Sequence, residues 1–485
     1  MMLDISMINR ENGLFRYYTN VHDAGATMDL VSFYSPYGTF KRNYSYFGPG
    51  GILQMYASFT ENYDVDYVLN KLLGTSSLNT DFDKSLNVGG KGVELNQAFI
   101  STISEMAERL FGSLAYLENK DRLFYGTYKE LINLGKNCLG PLDIDLFAKE
   151  QYENGEVPYT KFTENSYLGW IEGRRLFSGE KIWVPAQLIL LFYMSKKSED
   201  SIGYSTSGGL ASNIGFEETV YKGITELIER DAVNIRWTSN IAPEKIILDK
   251  RFCDKKFNKF IEKASRLGEV LTFYNHSLDI SVPVVSVVQI NRNYRRYAFV
   301  AGGGIDVELE KAMFSAFKEY GQSLEPILFS LTSPRTSYAN GMRRMLEVSP
   351  EADIRNLDHF FKIMSYYGYE NKIADLKSYL EDGKKIKFSE YEIELRNVNK
   401  NSNKYNIVYE ALKKNNIDPI YFDFTPKQMK NNKVIKVFIP ELAPPYLHSK
   451  PFYGHRRYYE LPMKLGYVEK QLTYDELNKK AIPYP

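Results

Sequence analysis

Glutamates recur in this chain in fixed company. The first group is Lys91, within Gly89-Gly90-Lys91-Gly92, followed by Ser101, Glu105, Glu108 and Arg109. The second is Ser207-Gly208-Gly209-Leu210-Ala211-Ser212, followed by Glu226, Glu229 and Arg230. The third, Ala301-Gly302-Gly303-Gly304, leads to Glu319-Tyr320-Gly321-Gln322. Residues three and four apart share a helix face. Each segment therefore points its acids one way, with Ser101 one turn before Glu105.

A lone Glu-x-x-Glu-Arg on a helix is ordinarily a solvated face with a weak ion pair. The neighbours here argue otherwise. Phe99, Ile100, Ile103, Met106, Leu110 and Phe111 crowd the first segment, and Val220, Ile224, Leu227, Ile228, Ala232 and Val233 crowd the second. Acids on such helices line a cavity. Two carboxylates about 4 Å apart repel by roughly 4 kcal/mol at an effective dielectric near 20, so their meeting requires raised pKa values or a cation. Oxygen ligands without His or Cys suit Mg²⁺ rather than zinc, and Mg²⁺ is commonly shared with phosphates. Lys91, flanked by glycines that let backbone approach, is a natural phosphate contact. The pattern points to a magnesium nucleotide held between repeated helices.

The elements that must position these residues read as follows. Residues 1–84 read as short strands and turns, the turns at Tyr34-Ser35-Pro36-Tyr37-Gly38 and Gly48-Pro49-Gly50-Gly51. Helices are predicted over 95–115, 217–238 and 307–330. The apolar run 182–194 suits a buried strand or helix, and 271–274, 283–289 and 297–301 alternate as adjacent strands. Residues 353–404, charged and rich in tyrosine, read as a peripheral insertion. From 404 to 440 the order is helix, strand (419–424), short helix, strand (434–439). Helix–strand alternation in two pseudo-related halves predicts an α/β (α+β) fold, with mixed sheets and the nucleotide between them.

Composition excludes more than it assigns. With 61 basic and 60 acidic residues and a net charge of +1, no basic block offers a nucleic-acid footprint. Two cysteines, Cys138 and Cys253, are too few and too far apart for a disulfide framework or a cysteine metal site. Reduced thiols in a cytoplasmic protein are the expectation. The opening Met-Met-Leu-Asp-Ile-Ser has no basic region followed by an apolar stretch, so no signal peptide is expected, and 182–194 is too short to span a bilayer. His22, His276, His359, His448 and His455 show no metal-ligand spacing, and the last two read as loop residues. Gly-x-Ser-x-Gly and Walker A patterns are both missing from the sequence.

The segments Lys91 to Arg109, Ser207 to Arg230 and Ala301 to Gln322 resemble the ATP-binding segments of YcaO-domain enzymes. Trp170-x-x-Gly173-x-x-Leu176-x-x-Gly179 leading to Val184-Pro185-Ala186 is similar to the family's central strand and turn. Asp279 to Val285 resembles its next strand pair, and Phe438-Ile439-Pro440-Glu441-Leu442 with Gly454-His455-Arg456-Arg457 its closing portion. The resemblance covers residues 85–485 well and the first 80 loosely.

The resemblance implies ATP and Mg²⁺ as cofactors. By matching position, Glu105, Glu108, Glu226 and Glu229 would hold the metal, and Lys91, Ser101 and Arg230 would contact the phosphates. Glu319 and Gln322 would complete the nucleotide site. Asn213 matches too, although loop asparagines more often form local turns. Where many relatives carry an arginine this chain has Leu324, which leaves Arg456 or Arg457 as substitutes or as surface packing. The azoline-forming branch typically ends in Pro-x-Pro-x-Pro; here Ala481-Ile482-Pro483-Tyr484-Pro485 keeps the last two prolines, against the plain reading of a frayed end. Pro483 and Pro485 would place the tail at the active site.

That branch converts Cys, Ser or Thr of a precursor peptide to azolines by phosphorylating a backbone amide oxygen. The implied partners are the precursor peptide with its leader, a separate E1-like leader-binding docking protein and a flavin-dependent azoline dehydrogenase. A homodimer within a larger complex is implied, with no nucleic acid and no membrane. Other readings are a thioamide- or amidine-forming relative, a non-catalytic docking scaffold and an unrelated ATP-dependent amide ligase. Retention of all four glutamates speaks against the scaffold.

Overall fold

The structure, a computed structural model, describes residues 27–33, 40–47, 55–62, 88–266, 270–291, 298–332, 340, 343–344, 346–357, 360–398 and 402–485. The turns expected at 34–38 and 48–51, and His22 and His359, lie outside the described residues.

Each glycine-rich segment forms a strand and each acidic segment the helix that follows it. In the first unit β1 (Phe40–Phe47), β2 (Tyr56–Asn62) and β3 (Gly89–Gly92) form an antiparallel sheet, and β3 feeds α1 (Leu95–Asn119). In the second, β4 (Phe124–Gly126), β5 (Leu168–Arg175), β6 (Lys181–Pro185) and β7 (Leu210–Ile214) precede α2 (Phe216–Thr238). In the third, β8 (Glu244–Ile247), β9 (Leu271–Asn275), β10 (Val284–Ile290) and β11 (Phe299–Ile305) precede α3 (Leu309–Thr332). Later come β12 (Lys385–Lys387), β13 (Ile420–Asp423) and β14 (Asn432–Phe438). The sheet orders are β1-β2-β3, β4-β5-β13-β14-β7 with β6 on β5, and β11-β10-β9-β8-β12. Thus β3, β7 and β11 each stand at the end of a sheet, and each hands the chain to an acidic helix. The mixed α/β class is the one expected, with the β12–β8 pair parallel.

Packing explains why the helices hold. Along α1, Ala98, Ile103, Met106, Leu110, Phe111 and Ala115 are buried at helical spacing. All but Ala98 join a core with Trp170, Val184 and Leu210 of the second sheet. In β10 successive side chains alternate between two cores. Val284 and Val288 face the α2 core, while Val285 and Val287 face the α3 core. A strand covered on both faces explains why valines occupy both faces of the stretch Val284 to Val288, interrupted only by the buried Ser286. α2 stops where Asn240 takes a left-handed φ of 53°.

Two expectations need correction. Instead of a short helix before β14, the chain makes a turn at Lys427-Gln428, and β13 and β14 pair as an antiparallel hairpin. Pro426 and the few residues available there leave no room to nucleate a helix. Residues 353–404 are also more than a peripheral addition. They supply β12 to the third sheet, and Ile363, Tyr367, Leu376, Tyr379 and Leu380 enter the core against α2. Apolar residues at helical spacing within the charged surroundings were the signal.

Candidate nucleotide and metal site

The motif glycines are there because strand and helix nearly touch. A β-carbon on Gly90 would lie 2.2 Å from Thr102 Oγ1 and 2.3 Å from the Ala98 oxygen on α1. One on Gly302 would lie 2.2 Å from Tyr320 N and 2.4 Å from the Ala316 oxygen on α3. No larger residue fits between these backbones.

Glu229 of α2 and Glu319 of α3 meet over Gly303 of β11. A β-carbon there would lie 2.5 Å from Glu229 Oε1 and 3.3 Å from Glu319 Oε2. The Gly303 N–H donates to Glu319 Oε2 at 2.7 Å, and Lys91 Nζ from β3 stands 3.2 Å from Glu319 Oε1. Burial pushes the Glu229 carboxyl up to about 7, Arg230 opposing and the Glu319 charge reinforcing. Burial works on Glu319 in the same direction, but Lys91, Arg230 and the Gly303 N–H outweigh it and hold that carboxyl below its usual range.

A second group sits between α1 and α2. Burial pushes Glu108 up to about 7, against Lys222 and Arg109 and with Glu226 and Glu105 adding to the rise. Burial raises Glu105 as well, with Glu226 among its neighbours. Lys222 Nζ is 3.7 Å from Glu108, and Arg109 is 3.8 Å from Glu105 and 3.9 Å from Glu108. Glu226 accepts the Gly209 N–H at 3.1 Å. Since Glu226 also raises Glu229, it links the two groups electrostatically. Among the described residues no three His, Cys, Asp or Glu side chains close around one point as a metal cage. The donor chemistry nonetheless fits a hard cation: crowded carboxylates that resist ionisation, with oxygen as their ligand atom.

The remaining residues divide. Ser101 is half-buried on α1, one turn before Glu105. Gln322 Nε2 donates to the Gly89 oxygen at 2.7 Å, tying α3 to β3. Arg230 donates to the Pro485 oxygen, which brings the tail to the site. Asn213 lies in β7, not in a loop, and its Oδ1 accepts the N–H of Ile214 at 2.8 Å. Leu324 is core, and neither arginine replaces it. Arg457 bonds Asp231 and Asp279, and Arg456 bonds Asp145 and the Leu142 oxygen.

Three residues escaped sequence reasoning. Lys436, buried in β14, donates to the Thr206 and Gly208 oxygens at 2.7 and 2.6 Å, and burial brings its ammonium down to about 8. A lysine inside the apolar run Val434 to Phe438 was the available signal. His448 and His455 are loop residues as expected, yet both are engaged. His448 Nε2 accepts the Ile482 N–H at 3.0 Å, and His455 is 3 % exposed with both ring nitrogens engaged.

Three strand–helix units that gather carboxylates, Lys91 and Arg230 at their junction define a nucleotide- and metal-binding architecture. The YcaO family model, described as YcaO cyclodehydratase, ATP- and Mg²⁺-binding, matches residues 89–443. The chain belongs to the YcaO family.

An uncharacterized protein of Methanothermobacter thermautotrophicus is 29% identical over 160 residues, covering 33% of this chain and 41% of that one. The fold is similar to that of a heterocyclase solved in complex with substrate and cofactor, with TM-score 0.70 and 18% identity, over 94% of this chain and 57% of that chain. It is also similar to YcaO from Methanopyrus kandleri, solved with AMPPCP and Mg²⁺, with TM-score 0.53 and 15% identity, over 83% and 86% of the two chains. The matches span about half the length of the curated relatives, 41% and 54%.

Proposed function

We propose that the chain is the ATP-dependent cyclodehydratase subunit of a peptide heterocycle synthetase. The observation that carries this reading is the junction of Glu229, Glu319, Lys91 and Arg230 with Pro485 at its rim. Glu105, Glu108, Glu226 and Glu229 hold Mg²⁺, which screens phosphate charge when bound. Lys91, Ser101 and Arg230 contact the phosphates, Glu319 sets Lys91, and Gln322 fixes the strand that carries it. Pro483 and Pro485 bring the tail to the peptide.

In the reaction a Cys, Ser or Thr side chain attacks the preceding carbonyl and gives up its proton. The resulting oxyanion accepts the terminal phosphoryl group of ATP, releasing ADP. Departure of phosphate with the amide proton leaves the azoline. An amide oxygen is a poor leaving group and a phosphate a good one, so the protein's share is positioning and charge neutralisation.

The peptide comes with a leader, held by a separate E1-like docking protein, and a flavin-dependent dehydrogenase takes the azoline onward. The subunit works as a homodimer in the cytoplasm; the free Cys138 and Cys253 agree with a reducing compartment. Among the described residues no helix is long and apolar enough to cross a membrane.

The test is mass spectrometry of a precursor peptide incubated with this protein, its docking partner, Mg²⁺ and ATP. Loss of one water mass at Cys, Ser or Thr, abolished by Glu105→Gln, is expected. Sulfur-for-oxygen exchange would instead assign a thioamide-forming enzyme. ATP binding with no mass change would assign a scaffold.

A further inference from the structure

The tail crosses the molecule along a wall that the reaction scheme leaves unexplained. Trp237, at the end of α2, donates from Nε1 to the Lys480 oxygen at 2.8 Å. Tyr367, from the helix Phe360–Tyr367, donates its hydroxyl to the Ala481 oxygen at 2.5 Å. Their rings meet edge-on at 6.2 Å, and Tyr379 of the helix Glu370–Glu381 packs on Trp237 at 4.9 Å. Trp237 and Tyr367 are each 1% exposed, Ala481 is fully buried and Tyr484 is 6% exposed. Just beyond, the Tyr484 ring lies 4.9 Å from His276, and Pro485 reaches Arg230.

Buried aromatic pairs are usually plain core. Here, however, the one polar atom of each ring is spent on a carbonyl of the tail. An irregular segment can be buried only if its backbone groups find partners. Pro483 and Pro485 have no N–H to satisfy, the Ile482 N–H goes to His448, and the oxygens of residues 480 and 481 go to this aromatic pair.

We infer that Trp237 and Tyr367 clamp the segment Lys480–Pro485 and hold Pro485 at Arg230, which makes the helix pair 360–381 a positioning element of the active site. This rests on the proposed function only in its catalytic consequence. The clamp spans α2 itself, so the helix that carries Glu226, Glu229 and Arg230 also sets the path of the tail.

The experiment uses Tyr367→Phe, which removes only the hydroxyl, and Trp237→Phe. The control is Tyr369→Phe, which deletes a hydroxyl of the same segment that bonds the Val348 oxygen at 2.6 Å. Hydrogen-exchange mass spectrometry follows residues 478–485, and peptide-dependent ATP turnover is split into kcat and KM. Loss of one buried hydrogen bond predicts about tenfold faster exchange of the tail in Tyr367→Phe. A lower kcat with an unchanged KM for ATP is expected with it, and the control leaves both as in the wild type. Unchanged tail exchange in both variants overturns the clamp. Faster exchange with an unchanged kcat overturns its positioning role. If the wild type turns over no ATP with peptide, the proposed function fails while the exchange comparison still decides the clamp.

Discussion

Arg230 and Pro485, 255 positions apart, are joined by a hydrogen bond from the guanidinium to the proline oxygen. The same arginine opposes the burial that raises the Glu229 carboxyl and, after Lys91, helps hold Glu319 below its usual range. One cation thus serves both the carboxylate pair over Gly303 and the tail. A planar guanidinium aims its N–H groups in a fixed fork, whereas an ammonium is a point charge on a flexible stem. Arg230→Lys keeps the charge and loses this geometry. ATP turnover is expected to fall about ten- to a hundredfold, the range for losing a charge-assisted hydrogen bond. A turnover equal to the wild type, measured at saturating ATP and Mg²⁺, would show that the fork does not matter.

Glu229 and Glu319 crowd one glycine in the folded chain, and that crowding opposes folding in the absence of a cation. Glu229→Gln removes a charge that burial already disfavours. The expected outcome is opposed changes: the nucleotide-free protein keeps or gains stability, while the Mg²⁺ concentration for half-maximal turnover rises about tenfold or more. Urea denaturation and a Mg²⁺ titration of ATP turnover check the two arms. A marked loss of stability would mean that the carboxylate is structural and would remove it from the proposed ligand set.

His455 supplies the pH dependence. Its Nε2 lies 3.1 Å from the Pro440 oxygen, which can only accept, and its Nδ1 faces the Arg457 N–H, which can only donate. The ring is therefore neutral, protonated on Nε2. Burial, with Arg457 and Arg456 adding to it against the Pro440 bond, takes its pKa from 6.5 to about 3. Burial and Arg236 likewise hold His276 well below 6.5. Between the folded and unfolded values the unfolded chain binds the extra proton. Stability is thus full above pH 6.5 and declines as pH falls from there toward about 3 for His455. By pH 5 the His455 ring costs on the order of 2 kcal/mol. Urea midpoints at pH 7.5 and 5 should differ less in His455→Gln than in the wild type. Equal differences would mean that this ring is not a source of the acid sensitivity.

Sequence reasoning reached what is local or periodic. The helix read over 95–115 is Leu95–Asn119, and that read over 307–330 is Leu309–Thr332, since apolar spacing without interior proline fixes a helix from within. The glycine segments were legible as close approaches, although not as sheet-edge strands. What failed depended on partners far along the chain. Arg456 and Arg457 look alike in sequence, yet Asp231 and Asp279 capture one and Asp145 the other. Residues 353–404 looked peripheral because charge dominates their composition, while Tyr367 and Tyr379 face inward. His455 gave no sign of burial, because its partners at Pro440 and Arg457 matter only once the closing loop is folded.

Lys436 carries the last prediction. Its ammonium donates to the oxygens of Thr206 and Gly208, and the next N–H along that turn, from Gly209, is the one that Glu226 accepts. Gly209 takes φ +75°, and a β-carbon there would lie 2.4 Å from the Val437 oxygen, so the turn is pinned by β14 from two consecutive residues. A methionine at 436 fills nearly the same volume but leaves both oxygens without this donor, and it removes a positive charge that interacts with Glu226 and Glu108. Lys436→Met is expected to cost about 2–4 kcal/mol of stability, from two buried acceptors losing a charged donor. It should also weaken Mg²⁺ dependence at Glu226 more than ATP affinity, because the displaced turn touches the carboxylate. Denaturant unfolding and Mg²⁺ titration of Lys436→Met beside Lys436→Arg distinguish the effects. If Arg restores the Mg²⁺ dependence, the charge and its carbonyl bonds place Glu226. If Met matches the wild type in both measurements, the turn holds its shape through Gly209 and Val437 alone.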